Sequence, residues 1–334
     1  MGDCVSKVYN SENKQILNKK EIENDILKEE QNVKIIEGRT ILIESNENSY
    51  LCIIKYLNYI DIIKSLICLF NEKIVFFKYP SFERNFEYEN IINTNYIFYC
   101  NYQKDSNKLY LGRDDFTNVY LIQNKSIKQL EEIIPLGIID LIEISLIKII
   151  VLDREKNIAV CFELKNKKYL KKKIIFGKKG IFYSIRKCPN ADKFFLLNNL
   201  NIQIFDSKTL ELISVLSIEN NDICFLNKNH FITVNSHSRI SFLRLIDLKT
   251  LKILDNCYKL TQMDFLQTIG NKRYFIAAES TNVSNLILME SNNNKINIVR
   301  RFKKYMPFYS SLYFDNTLFC GGDNKIHTFK FDIK

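Results

Sequence analysis

Near its C-terminus the chain reads Gly321-Gly322-Asp323-Asn324-Lys325-Ile326-His327-Thr328-Phe329-Lys330-Phe331-Asp332. A cluster of turn-forming residues leads into a strand in which Phe329 and Phe331 alternate with Lys330 and Asp332, the period of two expected of a sheet. Six further alternating strands precede it, centred near Phe76, Tyr120, Val160, Ile204, Leu245 and Ile287. Successive centres are roughly 40 to 44 residues apart, the length of one four-stranded propeller blade. From Val33 onward, short β-branched and aromatic runs are separated by Asn, Asp, Lys and Gly clusters, as in proteins built from many short strands. The prediction is an all-β, seven-bladed β-propeller over residues 33–334, with an eight-bladed ring and a pair of β-sandwiches as the competing architectures.

The last repeat runs out of chain. After its third strand only Ile333 and Lys334 remain, so the fourth, outermost strand is missing. In the other units that strand lies just before the next unit's first strand, and Thr40 to Glu44 occupies this place ahead of a first inner strand expected over Tyr50 to Tyr56. An N-terminal strand completing the last blade would close the ring and leave no open sheet edge at the seam.

Two units resemble WD repeats, whose pattern is a small-residue turn, an alternating strand and an aromatic-Asp ending. One is Asn198-Asn199-Leu200-Asn201-Ile202-Gln203-Ile204-Phe205-Asp206, with Phe205-Asp206 where the family has Trp-Asp; the other is Gly321 to Asp332. The chain contains no Trp, and the family's Gly-His pair is not evident. The resemblance implies a divergent WD-repeat-like protein whose loop faces bind other proteins.

The chain has 334 residues, 46% hydrophobic and 26% charged, enough to bury a sizeable core. Its most hydrophobic window, Ile133 to Leu152, carries Asp140, Glu143 and Lys148, each costing about 2.5 to 3.5 kcal/mol at a membrane centre, and is read as buried strands. Nine scattered cysteines, most in apolar segments, and no secretory leader point to reduced thiols in the cytosol. The formal charge of +10 accompanies an abundance of Lys, Asn and Ile that AT-rich coding would also produce, so it acquires meaning only once it is placed on the fold.

Residues 1–32 are polar and read as a flexible tail with at most one weak helix, and such a tail spans on the order of 30 Å. It begins Met1-Gly2-Asp3-Cys4-Val5-Ser6, the pattern for N-myristoylation of Gly2, with Cys4 as a neighbouring palmitoylation site. The acidic Asp3 departs from the small or neutral residue usual there. Two acyl chains matter physically, because one myristoyl group gives only reversible membrane binding.

Lys165, Lys167, Lys168, Lys171, Lys172 and Lys173 surround the third unit's outer strand, followed by Lys178 and Lys179 in a turn between blades. Arg300, Arg301, Lys303 and Lys304 follow the sixth unit's outer strand. Both groups suit protection of an exposed sheet edge and also suit an anionic leaflet. Val299-Arg300-Arg301-Phe302 resembles the paired arginines of phosphoinositide-binding propellers of the autophagy type, although Val299 and Phe302 differ from that family's flanks. The aromatic-basic interleaving of an RNA-binding motif is missing, so a nucleic-acid partner is not expected.

His230, His237 and His327 are expected to be structural, and Asp114, Asp115 and Asp323 to be turn residues between second and third strands rather than metal ligands. No nucleophile elbow, zinc-binding helix or Cys-x-x-Cys pair occurs, and no cofactor or metal is expected. The leading expectation is therefore a non-enzymatic scaffold, held peripherally on the cytosolic face of a membrane by acylated Gly2 and Cys4 and binding proteins through its loop faces. The alternatives are a soluble WD-repeat-like subunit of a larger complex and a phosphoinositide-binding propeller.

Overall fold

The computed structural model describes residues 33–42, 54–70, 73–92, 96–123, 126–153, 155–156, 158–175, 181–189, 192–198, 200–220, 222–237, 240–260, 263–269, 274–279, 285–303, 308–322 and 325–333. These residues form seven small antiparallel sheets arranged as the blades of a seven-bladed β-propeller. The first strand, β1 (Val33–Leu42), stands apart from its sequence neighbours. Blade 1 holds β2 (Ile54–Ile60), β3 (Ser65–Phe70) and β4 (Lys73–Lys78). Blade 2 holds β5 (Tyr99–Gln103), β6 (Lys108–Gly112), β7 (Thr117–Gln123) and β8 (Ser126–Ile134). Blade 3 holds β9 (Ile138–Ser145), β10 (Lys148–Asp153), β11 (Ala159–Lys165) and β12 (Lys168–Ile175). Blade 4 holds β13 (Phe182–Lys187), β14 (Lys193–Asn198), β15 (Ile202–Asp206) and β16 (Leu212–Leu216). Blade 5 holds β17 (Asp222–Phe225), β18 (His230–His237), β19 (Ile240–Asp247) and β20 (Ile253–Leu260). Blade 6 holds β21 (Met263–Ile269), β22 (Tyr274–Glu279), β23 (Asn285–Asn292) and β24 (Lys295–Lys303). Blade 7 holds β25 (Ser310–Phe314), β26 (Thr317–Gly321) and β27 (Lys325–Ile333), with β1 as its outer strand.

All seven strand centres expected from the repeat fall in third strands, and all seven side chains are buried. The period of two explains why. Leu109 and Tyr110 are neighbours on β6, yet Leu109 packs with Phe76 of blade 1 and Tyr110 with Val160 of blade 3. Each blade thus buries both faces, so its middle strands are almost wholly apolar. Corresponding clusters lie between blades 3 and 4 (Cys161, Phe194), 4 and 5 (Phe195, Phe231), 5 and 6 (Leu245, Phe275), 6 and 7 (Leu288, Phe329), and 7 and 1 (Phe319, Val75), completing the circuit.

The ring closes as the sequence predicts, with a longer strand than expected. β1 runs antiparallel to β27, Val33 opposite Ile333 and Leu42 opposite Lys325. It begins seven residues before Thr40, because a strand paired on one side only tolerates charges such as Lys34, Glu37 and Arg39. Blade 1's inner strand runs four residues past the expected Tyr56: β2 spans Ile54–Ile60, and residues 50–53 lie outside the described residues. At the seam, Ser310 Oγ donates to the Ile54 carbonyl (2.8 Å), and the Tyr59 and Phe314 rings stack with centroids 3.8 Å apart. A Cβ on Gly321 would lie 2.5 Å from Ser310 Oγ and 2.7 Å from Ile54 Cγ2, which is why a glycine ends β26.

Blade 1 departs from the repeat in having no fourth strand among the described residues. Its edge strand β4 is covered instead by helix α1 (Phe86–Ile92). Glu89 on α1 accepts a hydrogen bond from Phe76 N (3.2 Å), the edge donor a fourth strand would have used, while Asn85 N donates to the Phe76 carbonyl (2.7 Å). Arg84 grips Glu89 through Nε and Nη2, the latter at 2.8 Å. In the other six blades every outer strand has a register break against its third strand. Such bulges twist an edge away from further pairing.

The window Ile133 to Leu152 forms strands, as expected, with two corrections: Pro135, Leu136 and Gly137 connect β8 to β9, and Leu146 and Ile147 form an exposed turn between β9 and β10. No helix among the described residues is long and apolar enough to cross a membrane.

Candidate functional site

The first strands ring the axis, and three charged residues on them interlock. Asp140 on β9 accepts from Ser184 Oγ (2.7 Å), Ile185 N (3.0 Å) and Arg186 Nη1 (2.8 Å) of β13 in the next blade. Tyr99 of β5, in the preceding blade, donates to the other carboxylate oxygen of Asp140 (3.2 Å). Arg186 then reaches forward, its Nη2 lying 3.3 Å from Asp222 Oδ1 on β17. The clasp continues backward from Tyr99 through Asn101, and Tyr102 N donates to Tyr56 OH on β2 (2.9 Å). One polar chain therefore crosses blades 1 to 5 near the axis.

Charge balance governs this clasp. Burial raises the Asp222 pKa against the opposing pull of Arg186. Burial works against the Arg186 charge, but Asp140 and Asp222 outweigh it and raise its pKa. Burial followed by the nearby Asp140 charge raises the Tyr99 pKa, so its phenol stays protonated and donating.

A second chain lies between blades 2 and 3. Glu143 on β9 accepts from Tyr110 OH (2.6 Å) and Ser106 Oγ (2.7 Å). Tyr110 OH lies 3.2 Å from Tyr169 OH, and Lys108 Nζ donates both to Tyr169 OH (3.2 Å) and to Glu132 (3.1 Å). Burial pushes the Glu143 carboxyl above the ordinary carboxylate range despite the hydrogen bonds it accepts. Both chains contain hydrogen bonds that cross from one blade to the next, and these hold the blades in position relative to one another.

The WD-like ending at Phe205-Asp206 builds a tight turn. Asp206 Oδ1 accepts from Lys208 N and Thr209 N, each at 2.7 Å. These backbone bonds lower its pKa. Asp247 does the same one blade later, accepting from Thr250 N (2.6 Å) and Thr250 Oγ1 (2.7 Å). Leu210 and Leu251 follow in left-handed conformations, φ 60° and 57°. The sequences Asp206-Ser207-Lys208-Thr209-Leu210 and Asp247-Leu248-Lys249-Thr250-Leu251 share the pattern Asp-x-Lys-Thr-Leu, a repeat that sequence reading passed over.

The basic candidates do not form one patch. Lys171, Lys172 and Lys173 are exposed on β12, the outer strand of blade 3, and Arg300 and Arg301 are exposed on β24, the outer strand of blade 6. Two of the three lysines have local engagements: Lys172 pairs with Glu163 (3.1 Å), and Lys173 Nζ donates to the Thr209 and Leu210 carbonyls of blade 4 (both 3.2 Å). Lys172 is also the extra residue of the bulge against Cys161 and Phe162. The Arg300 guanidinium lies 5.0 Å from the Phe302 ring centre. Lys303 ends β24, so Arg300, Arg301 and Lys303 lie within the outer strand rather than after it. Gly2, Cys4, Lys178, Lys179 and Lys304 lie outside the described residues, as does the tail 1–32.

Asp114 and Asp115 lie in the turn between β6 and β7, as expected, and Gly321 and Gly322 lead into the equivalent turn of blade 7, whose Asp323 lies outside the described residues. His230 begins β18, and His237 is its last residue rather than part of the turn after it. His327 lies within β27, where Nδ1 is 3.3 Å from Thr40 Oγ1 of the closing strand. Burial raises the Cys68, Cys100 and Cys161 pKa values and pushes Cys224 up to about 12, which keeps these core thiols protonated at neutral pH. No family model matches the chain, and no curated protein matches it.

Proposed function

We propose that this protein is a non-enzymatic, WD-repeat-like interaction scaffold, tethered to the cytoplasmic face of a membrane through a myristoyl group on Gly2 and a palmitoyl group on Cys4. The observation that carries this reading is the way the ring closes. The closing strand β1 begins at Val33, opposite the last residue of β27, so the chain bearing Gly2 and Cys4 joins the disc on one face only. That leaves the opposite face, with the turns between second and third strands, open to protein partners. The Asp206 and Asp247 turns support the WD-like kinship.

The test is subcellular fractionation of the protein and its Gly2→Ala variant in its own cells. The variant is expected to move from the membrane fraction to the soluble fraction, and Cys4→Ser to weaken retention partially, because one acyl chain holds reversibly. An unchanged distribution for Gly2→Ala would refute acylation as the tether.

A further inference from the structure

The geometry points to a membrane-docking site on the propeller itself: the exposed Leu146-Ile147 turn of blade 3 and the lysines beside it, seated on a bilayer that carries anionic lipid. Leu146 is 64% exposed and Ile147 52% exposed at the tip of a two-residue hairpin. Among the described residues the other two-residue hairpin tips are polar and left-handed: Asn166-Lys167, Asn293-Asn294 and Asp315-Asn316. Those residues are there for turn geometry. Leu146 and Ile147 have no positive φ to satisfy and no core to fill.

Charge surrounds this tip. The Ile147 carbonyl accepts from Leu164 N (2.7 Å), which ties it to the neighbouring turn, where Lys165, Lys167 and Lys168 are all exposed. Lys148 follows on β10. Against these four lysines stand two carboxylates: Glu131 of blade 2, 3.6 Å from Lys167 Nζ with both side chains well exposed, and Glu163, which lies opposite Lys148 on β11 and is itself paired with Lys172. The equivalent turns of blades 1 and 2 mix their signs, with Asp61 beside Lys64 and Lys104 beside Asp105. An apolar tip ringed by lysines matches the chemistry of an anionic membrane interface, apolar beneath and negative at the surface.

The same face receives the N-terminal segment. Phe331 N donates to the Asn316 carbonyl (2.8 Å), placing the end of β27, and Val33 opposite it, beside the first-to-second-strand turn of blade 7. The tip of blade 3 is the corresponding turn of its own blade. A bilayer held by Gly2 and Cys4 would thus meet the lysine-ringed tip, while docking at the tip does not itself require acylation.

The experiment uses the full chain carrying Gly2→Ala, which removes the acyl contribution. Its sedimentation is measured with vesicles of pure phosphatidylcholine and with vesicles of equal parts phosphatidylcholine and phosphatidylserine. Binding is expected to the second and not the first. Leu146→Ser with Ile147→Ser should lower the partition coefficient about thirtyfold, from the apolar area each exposes. Each of Lys165→Gln, Lys167→Gln and Lys168→Gln should lower it about fivefold. Arg300→Gln with Arg301→Gln, on the rim of blade 6, should leave it unchanged, and thermal midpoints should hold because every substituted side chain is exposed. No binding to phosphatidylserine vesicles, or binding lost with the blade 6 pair and kept with the tip pair, overturns the proposal. Neither result bears on acylation, which the fractionation of Gly2→Ala decides separately.

Discussion

Arg186→Gln should loosen the ring at the junction of blades 3, 4 and 5. The side chain contacts Asp140 at 2.8 Å and Asp222 at 3.3 Å, and its loss leaves two carboxylates without their shared counter-charge. Removing one member of a buried pair typically costs 3–5 kcal/mol, but the Arg186 side chain is 38% accessible, so solvent screening reduces the expectation to about 2–3 kcal/mol. For a domain of this size that is about 5 °C in Tm. The pH dependence gives the sharper test. Asp222 already has a raised pKa, and losing Arg186 raises it further. A carboxyl raised in the folded state costs nothing while protonated and destabilises as pH climbs from its unfolded value through its folded one. The deficit should therefore be smallest near about pH 4 and largest at neutrality. Thermal unfolding followed by near-ultraviolet circular dichroism at both pH values measures it. A deficit below about 1 kcal/mol, or one equal at both, would refute the clasp as an electrostatic lock.

Gly321→Val should cost about 2 kcal/mol in urea unfolding, since even a Cβ crowds Ser310 and Ile54 at the seam; an unchanged midpoint would show that the seam yields freely. Glu89→Ala, which removes the acceptor for Phe76 N and the bidentate partner of Arg84, should cost about 2 kcal/mol, with Glu89→Gln losing less. Equal losses for the two variants would count against edge capping by α1. Glu143→Gln should gain stability relative to the parent as pH rises from about 4 to neutrality, because burial raises the Glu143 pKa and ionisation of this carboxyl opposes folding. Denaturant midpoints across that range would contradict this if the two proteins stayed parallel.

Third strands were legible in the sequence because each is buried on both faces between neighbouring blades, which turns Phe76, Val160, Ile204 and their counterparts into dense apolar runs at a fixed period. Closure by an N-terminal strand was legible for a different reason: the seventh repeat lacked a fourth strand, and an open edge there would have been costly. First strands were harder to read. They line the axis and carry polar residues such as Tyr56, Asn58 and Asp140, so the first inner strand was expected to end at Tyr56, four residues short of its end at Ile60. The helix covering blade 1 was hidden because Glu89 stands in for a strand through one side-chain acceptor, which leaves no periodic trace. Asp140, Arg186 and Asp222 are 46 and 36 residues apart, near one repeat each, so charges recurring inside apolar first strands were the available signal. The Leu146-Ile147 tip was missed because an exposed apolar turn inside a hydrophobic window has the composition of a buried strand.

The tethered scaffold rests on the chemistry of one terminus, and intact-mass spectrometry of the protein purified from its own cells, read at the N-terminal peptide, tests it most directly. The account predicts loss of Met1, a myristoyl amide on Gly2 and a thioester on Cys4. An N-terminus that is unmodified or only acetylated would contradict it.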